Sequence, residues 1–117
     1  MSSQIMWVCT FGIDPKRFGE VNDTLDALTS ASLEEPGCAD YQYFFNGNKT
    51  ELHIIEAYRN SEAVVTHVNH TFSKFSEKFG ELTTAGSFTV YGQPEGEARR
   101  ILDGFGATYL SPAPIAS

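Results

Sequence analysis

Apolar positions along this chain recur with two periods, about 2 and about 3.6 residues, and the order in which the periods alternate outlines a fold. Residues 5–11 are an apolar run holding Trp7, Val8, Cys9 and Phe11. Bounded by Gly12 and Asp14-Pro15, the run reads as a strand buried on both faces. Asp14 can cap a helix and Pro15 can take its first position. Phe18, Val21, Leu25 and Leu28 then recur at three and four residues, the stripe of an amphipathic helix that ends before Pro36. Residues 41–45 and 52–58 flank Asn46-Gly47-Asn48-Lys49, whose Asn-Gly step accepts positive φ, and so predict an antiparallel hairpin. Asn60 or Ser61 can cap a second helix of about twenty residues, with Val64, Val68, Phe72, Phe75, Phe79 and Leu82 as its stripe and Gly86 as its end. Residues 87–91 predict a fourth strand, 95–102 a short helix and 107–110 a fifth strand before a Pro-containing tail.

The order β-α-β-β-α-β is the ferredoxin-like split βαβ arrangement of the α+β class, an antiparallel sheet with both helices on one face. At 117 residues the chain reads as a single domain, 1–117, with residues 95–111 as an appendage. The strands carry apolar or aromatic residues on both parities: Trp7, Cys9 and Phe11 against Met6 and Val8; Tyr41, Tyr43 and Phe45 against Phe44. A solvated sheet face would alternate with polar residues, so the face away from the helices is expected to meet its own copy in a two-fold homodimer.

Composition narrows the partners. Eight basic against fifteen acidic residues leave a net charge of −7, with a pI near 4.8, which argues against nucleic acid or an anionic membrane, both of which need a basic face. The opening apolar run has no basic flank before it and is too short to span a bilayer, so a cytoplasmic protein is expected. Cys9 and Cys38 lack CxxC spacing and read as reduced thiols. Asn22, Asn48 and Asn69 head Asn-x-Thr triplets that matter only in a secreted chain, and Gly104-Phe105-Gly106 lacks the third glycine of a dinucleotide fingerprint.

Candidate chemistry gathers in the middle of the chain. His67 and His70 are three residues apart on the second helix, about one turn, so both should look to the same side. Histidine titrates nearest neutrality, which suits it to act as a base. Tyr41 and Tyr43 share one face of their strand, as do Glu56 and Tyr58, and a phenol or carboxylate on an apolar sheet needs a partner. Trp7, Phe44, Phe72, Phe75 and Tyr91 are candidates for the lining of an aromatic cavity. His53 and Glu56 fall on opposite faces of a strand, so they cannot complete one metal site with the helix histidines, and no metal is assigned.

The stretch from Glu35-Pro36-Gly37-Cys38-Ala39-Asp40-Tyr41, through Leu52-His53-Ile54-Ile55-Glu56-Ala57-Tyr58, to Ser61-Glu62-Ala63 with His67 and Phe72 resembles the antibiotic biosynthesis monooxygenase family of dimeric α+β barrels. In that family the third strand commonly ends in Glu, one residue, then Trp; here Glu56 is in place and Tyr58 stands for the Trp. The resemblance implies a cofactor-independent oxygenase in which a phenol or quinol is deprotonated and its anion reacts with dioxygen. The haem-degrading branch would want an Asn on the first strand and a Trp in the second helix, which the chain lacks. On this reading His67 is the base, His70 and Tyr58 orient the substrate oxygen, and Trp7, Tyr41, Tyr43, Glu56 and Phe72 contact a small aromatic molecule. Two alternatives stand beside it: a non-catalytic dimer that binds a small aromatic ligand, and a structural dimer with no cavity of a few hundred Å3.

Overall fold

The computed structural model describes residues 3–113. Strand β1 (Ile5–Ile13) leads through Asp14, whose side chain accepts a hydrogen bond from the Lys16 backbone N–H, into a 3-10 turn begun by Pro15. Helix α1 (Phe18–Leu33) follows and buries Val21, Leu25, Leu28 and Ser32. The Ser32 hydroxyl donates to the Leu28 carbonyl at 2.7 Å, which makes that polar position tolerable in the core. The hairpin is β2 (Cys38–Phe45) and β3 (Glu51–Tyr58). In its turn the residue with positive φ is Lys49, at 59°, and not Gly47. The Asn46 side chain explains this, because its carbonyl oxygen accepts from the backbone N–H of both Thr50 and Glu51 at 2.9 Å and forces the left-handed step one residue before Thr50.

The second helix departs from its expected continuous stripe. Helix α2 (Ser61–Thr66), capped by the Asn60 side chain, gives way to a π-helical turn over residues 67–71 and a 3-10 turn over 72–74 before α3 (Ser76–Leu82). Gly86 does not end this helix. It lies inside β4 (Thr83–Tyr91), at a bulge where Gly86 and Ser87 together oppose Thr10 of β1. A methyl group at Gly86 would come within 2.8 Å of the Thr10 carbonyl oxygen, so glycine is needed there for close approach of the two strands. Helix α4 (Gly96–Gly104) and β5 (Thr108–Leu110) complete the described chain.

The sheet order is β2-β3-β1-β4-β5. All neighbours are antiparallel except β4 and β5, which run parallel because α4 is the crossover between them. Cross-strand register sorts the two faces. Trp7 pairs with Glu56 and Val90, Cys9 with Ile54 and Phe88, and Tyr41 with Glu56 on the face that meets the helices and forms the core. Met6 pairs with Ala57 and Tyr91, Val8 with Ile55, and Phe44 with His53 on the opposite face. Within one chain β1 is therefore not buried on both faces, since its Met6 is 39% exposed on the outer face, as are Phe44 of β2 and Tyr91 of β4 at 48% and 41%.

Candidate active site

Between the inner sheet face and the broken second helix lies a cavity of about 390 Å3. Trp7, Cys9, Tyr41, Ile54, Glu56 and His67 line its deep end, the half-buried Phe72 and Phe88 and the exposed Phe105 line the side towards solvent, and the buried Phe79 and Leu102 complete the wall. The size and the apolar walls with a few convergent polar groups are those of a small-molecule pocket. A structural dimer without a cavity does not fit this interior.

The polar groups at the deep end form a chain. His67 is fully buried, and its Nδ1 lies 2.8 Å from Oε2 of Glu35 while its Nε2 faces Oε1 of Glu56 at 3.5 Å. The Tyr58 hydroxyl donates to the same Glu56 oxygen at 2.6 Å. The Tyr58 ring packs between Trp7 and His67, with centroids 4.9 Å from each and the planes tilted by 30° and 40°. Burial pushes the Glu56 carboxyl above its ordinary value of 4.5, against the opposing pull of His67, Tyr58 and the Trp7 indole. The Tyr58 phenol is driven far upward, first by burial and then by the Glu56 charge, so it serves as a donor and not as an anion. Burial likewise raises the Tyr41 phenol and the Cys9 thiol. A buried imidazole flanked by two carboxylates is a place where a proton can be held and passed between His67 and Glu56 at little cost in net charge.

Local structure explains why His67 reaches this position. The Phe72 backbone N–H donates to the His67 carbonyl, five residues back, which is the signature of the π turn. Because its i→i+5 bonds make such a turn wider than an α-turn, position 70 swings away from position 67. His67 and Thr71 point inward together, while His70 is exposed and outside the site. His70 therefore cannot orient a substrate in this cavity, as α-helical spacing had led one to expect. Tyr43 is also absent from the lining: its ring packs on Phe45 and its hydroxyl donates to Asn22 of α1 at 3.4 Å. Tyr58 does not line the cavity either and acts on it through Glu56. Trp7, Tyr41, Glu56, His67 and Phe72 do come together in its wall.

Sequence reasoning missed Glu35 as a chemical residue. It sits in the turn after α1, thirty-two positions from His67, where no periodicity operates. The adjacent Pro36-Gly37 held the only hint. Gly37 accepts the Arg59 backbone N–H at 2.9 Å, and a methyl group there would lie 2.5 Å from the Ala63 Cβ. The turn can touch α2 only with glycine at that position, and that contact brings Glu35 to the start of the π turn. Among the described residues, no group of three or more His, Cys, Asp or Glu side chains is arranged to hold a metal ion. No helix among them is long and apolar enough to cross a membrane.

Comparison with known proteins places this architecture. The crystal structure of MupZ from Pseudomonas fluorescens superposes with a TM-score of 0.86 at 20% identity, covering 100% of this chain and 91% of MupZ. Rv0793 from Mycobacterium tuberculosis gives 0.68 at 23% identity, over 81% of this chain and 99% of the other. SnoaB from Streptomyces nogalater, a cofactor-independent oxygenase, gives 0.65 at 11% identity, over 82% of this chain and 98% of its own. At these identities the likeness is one of fold. A search of curated proteins by sequence gives no match. The sequence profile that does match covers residues 5–79, well over half of the chain, and on that match the protein belongs to the antibiotic biosynthesis monooxygenase family.

Proposed function

We propose that the protein is a cofactor-independent monooxygenase acting on a small phenolic or quinol substrate, with the His67–Glu56 pair as the proton acceptor. The observation that carries this reading is the buried His67, held by Glu35 at one nitrogen and turned towards Glu56 at the other, in the wall of an aromatic cavity. Glu35 fixes the ring so that Nε2, not Nδ1, is the nitrogen available on the cavity side. Glu56, whose raised carboxyl accepts a proton readily, shares the incoming charge, and Tyr58 and Trp7 hold that carboxyl in place.

The reaction balances without an external reductant. The substrate hydroxyl proton passes to the His67–Glu56 pair, which leaves an anion whose charge spreads onto ring carbons. One such carbon, still bearing hydrogen, transfers an electron to dioxygen, and recombination forms a C–O bond. After the peroxide takes up the stored proton, its terminal OH and the remaining C–H hydrogen leave as water, and a carbonyl stays on the ring. The apolar surround keeps water from the anion, and the protonated His67 offsets its charge.

The same reading includes a two-fold dimer through the outer sheet face, where Met6, Phe44 and Tyr91 stand exposed. The test is oxygen consumption by metal-free and flavin-free protein against a panel of hydroquinones and polycyclic phenols. One dioxygen consumed per carbonyl formed supports the proposal. Quenching of Trp7 fluorescence by the same compounds with no oxygen uptake would instead make the protein a binder of aromatic ligands.

A further inference from the structure

We infer that the C-terminal unit α4–β5, which lies beyond the family-matched residues 5–79, is the selectivity wall of the cavity, with Phe105 as the ring that receives the flat apolar end of an aromatic ligand. The inference rests on the reading of the cavity as a substrate seat, and is independent of the oxygen chemistry.

Exposure separates the two ends of the cavity. Trp7, Glu56 and His67 at the deep end are 3–5% exposed, whereas Phe105, which lines the same space, is 46% exposed. A phenylalanine left half in water while it faces a cavity is a ring without a full partner. It lies nearly parallel to Phe88, with 8° between the planes and 6.1 Å between centroids. Phe72 stands edge-on to it at 86° and 6.2 Å. The two near-parallel rings offer faces of one orientation to a flat ligand, and Phe72 bounds the side. Trp7, 5.5 Å from Phe88, continues the aromatic wall inward to Glu56.

The Phe105 backbone is held firmly. Helix α4 ends in a Schellman arrangement, in which the Ala107 N–H donates to the Leu102 carbonyl at 3.2 Å and the Gly106 N–H to the Asp103 carbonyl at 3.0 Å. Gly106 supplies the left-handed φ of 77° that this closure requires. Buried Ala98 and Leu102 anchor the helix below, and β5 pairs with β4 beyond it. A clasp joins the two: Tyr109 donates to Asp103 at 2.7 Å, and the Arg99 guanidinium sits 3.7 Å over the Tyr109 ring. The ring at the cavity mouth is thus preorganised, so little ordering is needed when a ligand meets it.

Ligand length is what this geometry reads. A single-ring phenol with its oxygen at His67 and Glu56 remains within the deep end. A fused-ring phenol in the same pose extends to Phe88 and Phe105. The test uses Trp7, the single tryptophan of the chain, as the reporter. Quenching by phenol and by 2-naphthol is titrated without oxygen for the unmodified protein, Phe105→Ala and Phe105→Tyr. The unmodified protein should bind 2-naphthol more tightly than phenol. Phe105→Ala should weaken 2-naphthol about 5- to 10-fold and phenol less than about 2-fold, the scale of one lost aromatic pair. Phe105→Tyr, which restores the ring, should restore 2-naphthol binding and shows that the loss is not one of folding. Equal weakening of both ligands, no weakening of either, no rescue by tyrosine, or no 2-naphthol preference at the start would each overturn the inference. Selective binding without oxygen uptake would leave it standing while removing the oxygenase.

Discussion

Tyr58→Phe removes one hydroxyl and keeps the ring that packs against Trp7 and His67, so it isolates the hydrogen bond to Glu56. That bond is 2.6 Å long, entirely buried and made to a carboxylate. A hydrogen bond to a charged group contributes about 1.5–3 kcal/mol, and one to a neutral group about 1 kcal/mol. The difference fixes the pH dependence. The folded-state value of Glu56 is raised, so its stabilising contribution is fully present below the unfolded value of 4.5 and is lost as pH rises through the folded value. Loss of the Tyr58 donor weakens the ionised form more than the protonated one and raises that value further. The cost of Tyr58→Phe should therefore be about 1 kcal/mol near pH 4.5 and should rise to about 2–3 kcal/mol once the pH has passed the raised folded-state value of Glu56. Urea unfolding of both proteins at equal concentration measures it, with a midpoint difference on the order of 1 M at the higher pH. A cost that is the same at both pH values, or larger at the lower one, would refute the assignment of Tyr58 as the donor that holds an ionisable Glu56.

Glu35→Gln should fold with little change in stability and lower the maximal turnover about 10- to 100-fold with a nearly unchanged KM, as expected for a residue that orients a base; steady-state oxygen uptake distinguishes this from a binding defect. Gly37→Ala should destabilise by about 1–3 kcal/mol in urea unfolding, because its methyl meets Ala63 at 2.5 Å, and the pair Gly37→Ala with Ala63→Gly should recover most of the loss. In solution at micromolar concentration the protein should have twice the 12.9 kDa chain mass, and Phe44→Asp on the exposed sheet face should shift it towards the monomer in light scattering.

The strand order, the α1 stripe and the hairpin were legible because each depends on short-range periodicity: Val21, Leu25 and Leu28 are buried as their spacing requires, and Trp7, Cys9, Tyr41 and Glu56 share the inner face as alternation requires. The site was only partly legible. A π turn carries no residue code, since the same Val64-to-Phe72 pattern suits an unbroken α-helix, and one inserted residue was enough to remove His70 from the site. Tyr43 shares a face with Tyr41, yet two residues along the strand carried it under α1 and away from the cavity. Glu35 was hidden by its distance along the chain, and Gly86 by the ambiguity of a glycine that suits both a helix end and a strand bulge. Phe105 had been read only against a nucleotide motif. Its place at the mouth depends on the parallel addition of β5, which brings the end of α4 back over the cavity.

The most direct test of the central claim is oxygen uptake by His67→Ala beside the unmodified protein, on the best phenolic or quinol substrate, with the mass of both checked in solution. A proton acceptor at this position accounts for a factor of about 100 to 10,000 in rate, so the variant should lose at least about 100-fold in turnover while keeping its assembly and its binding of that substrate. Turnover within a few-fold of the unmodified protein would contradict the account, and would remove His67 and its partners Glu35 and Glu56 from the chemistry.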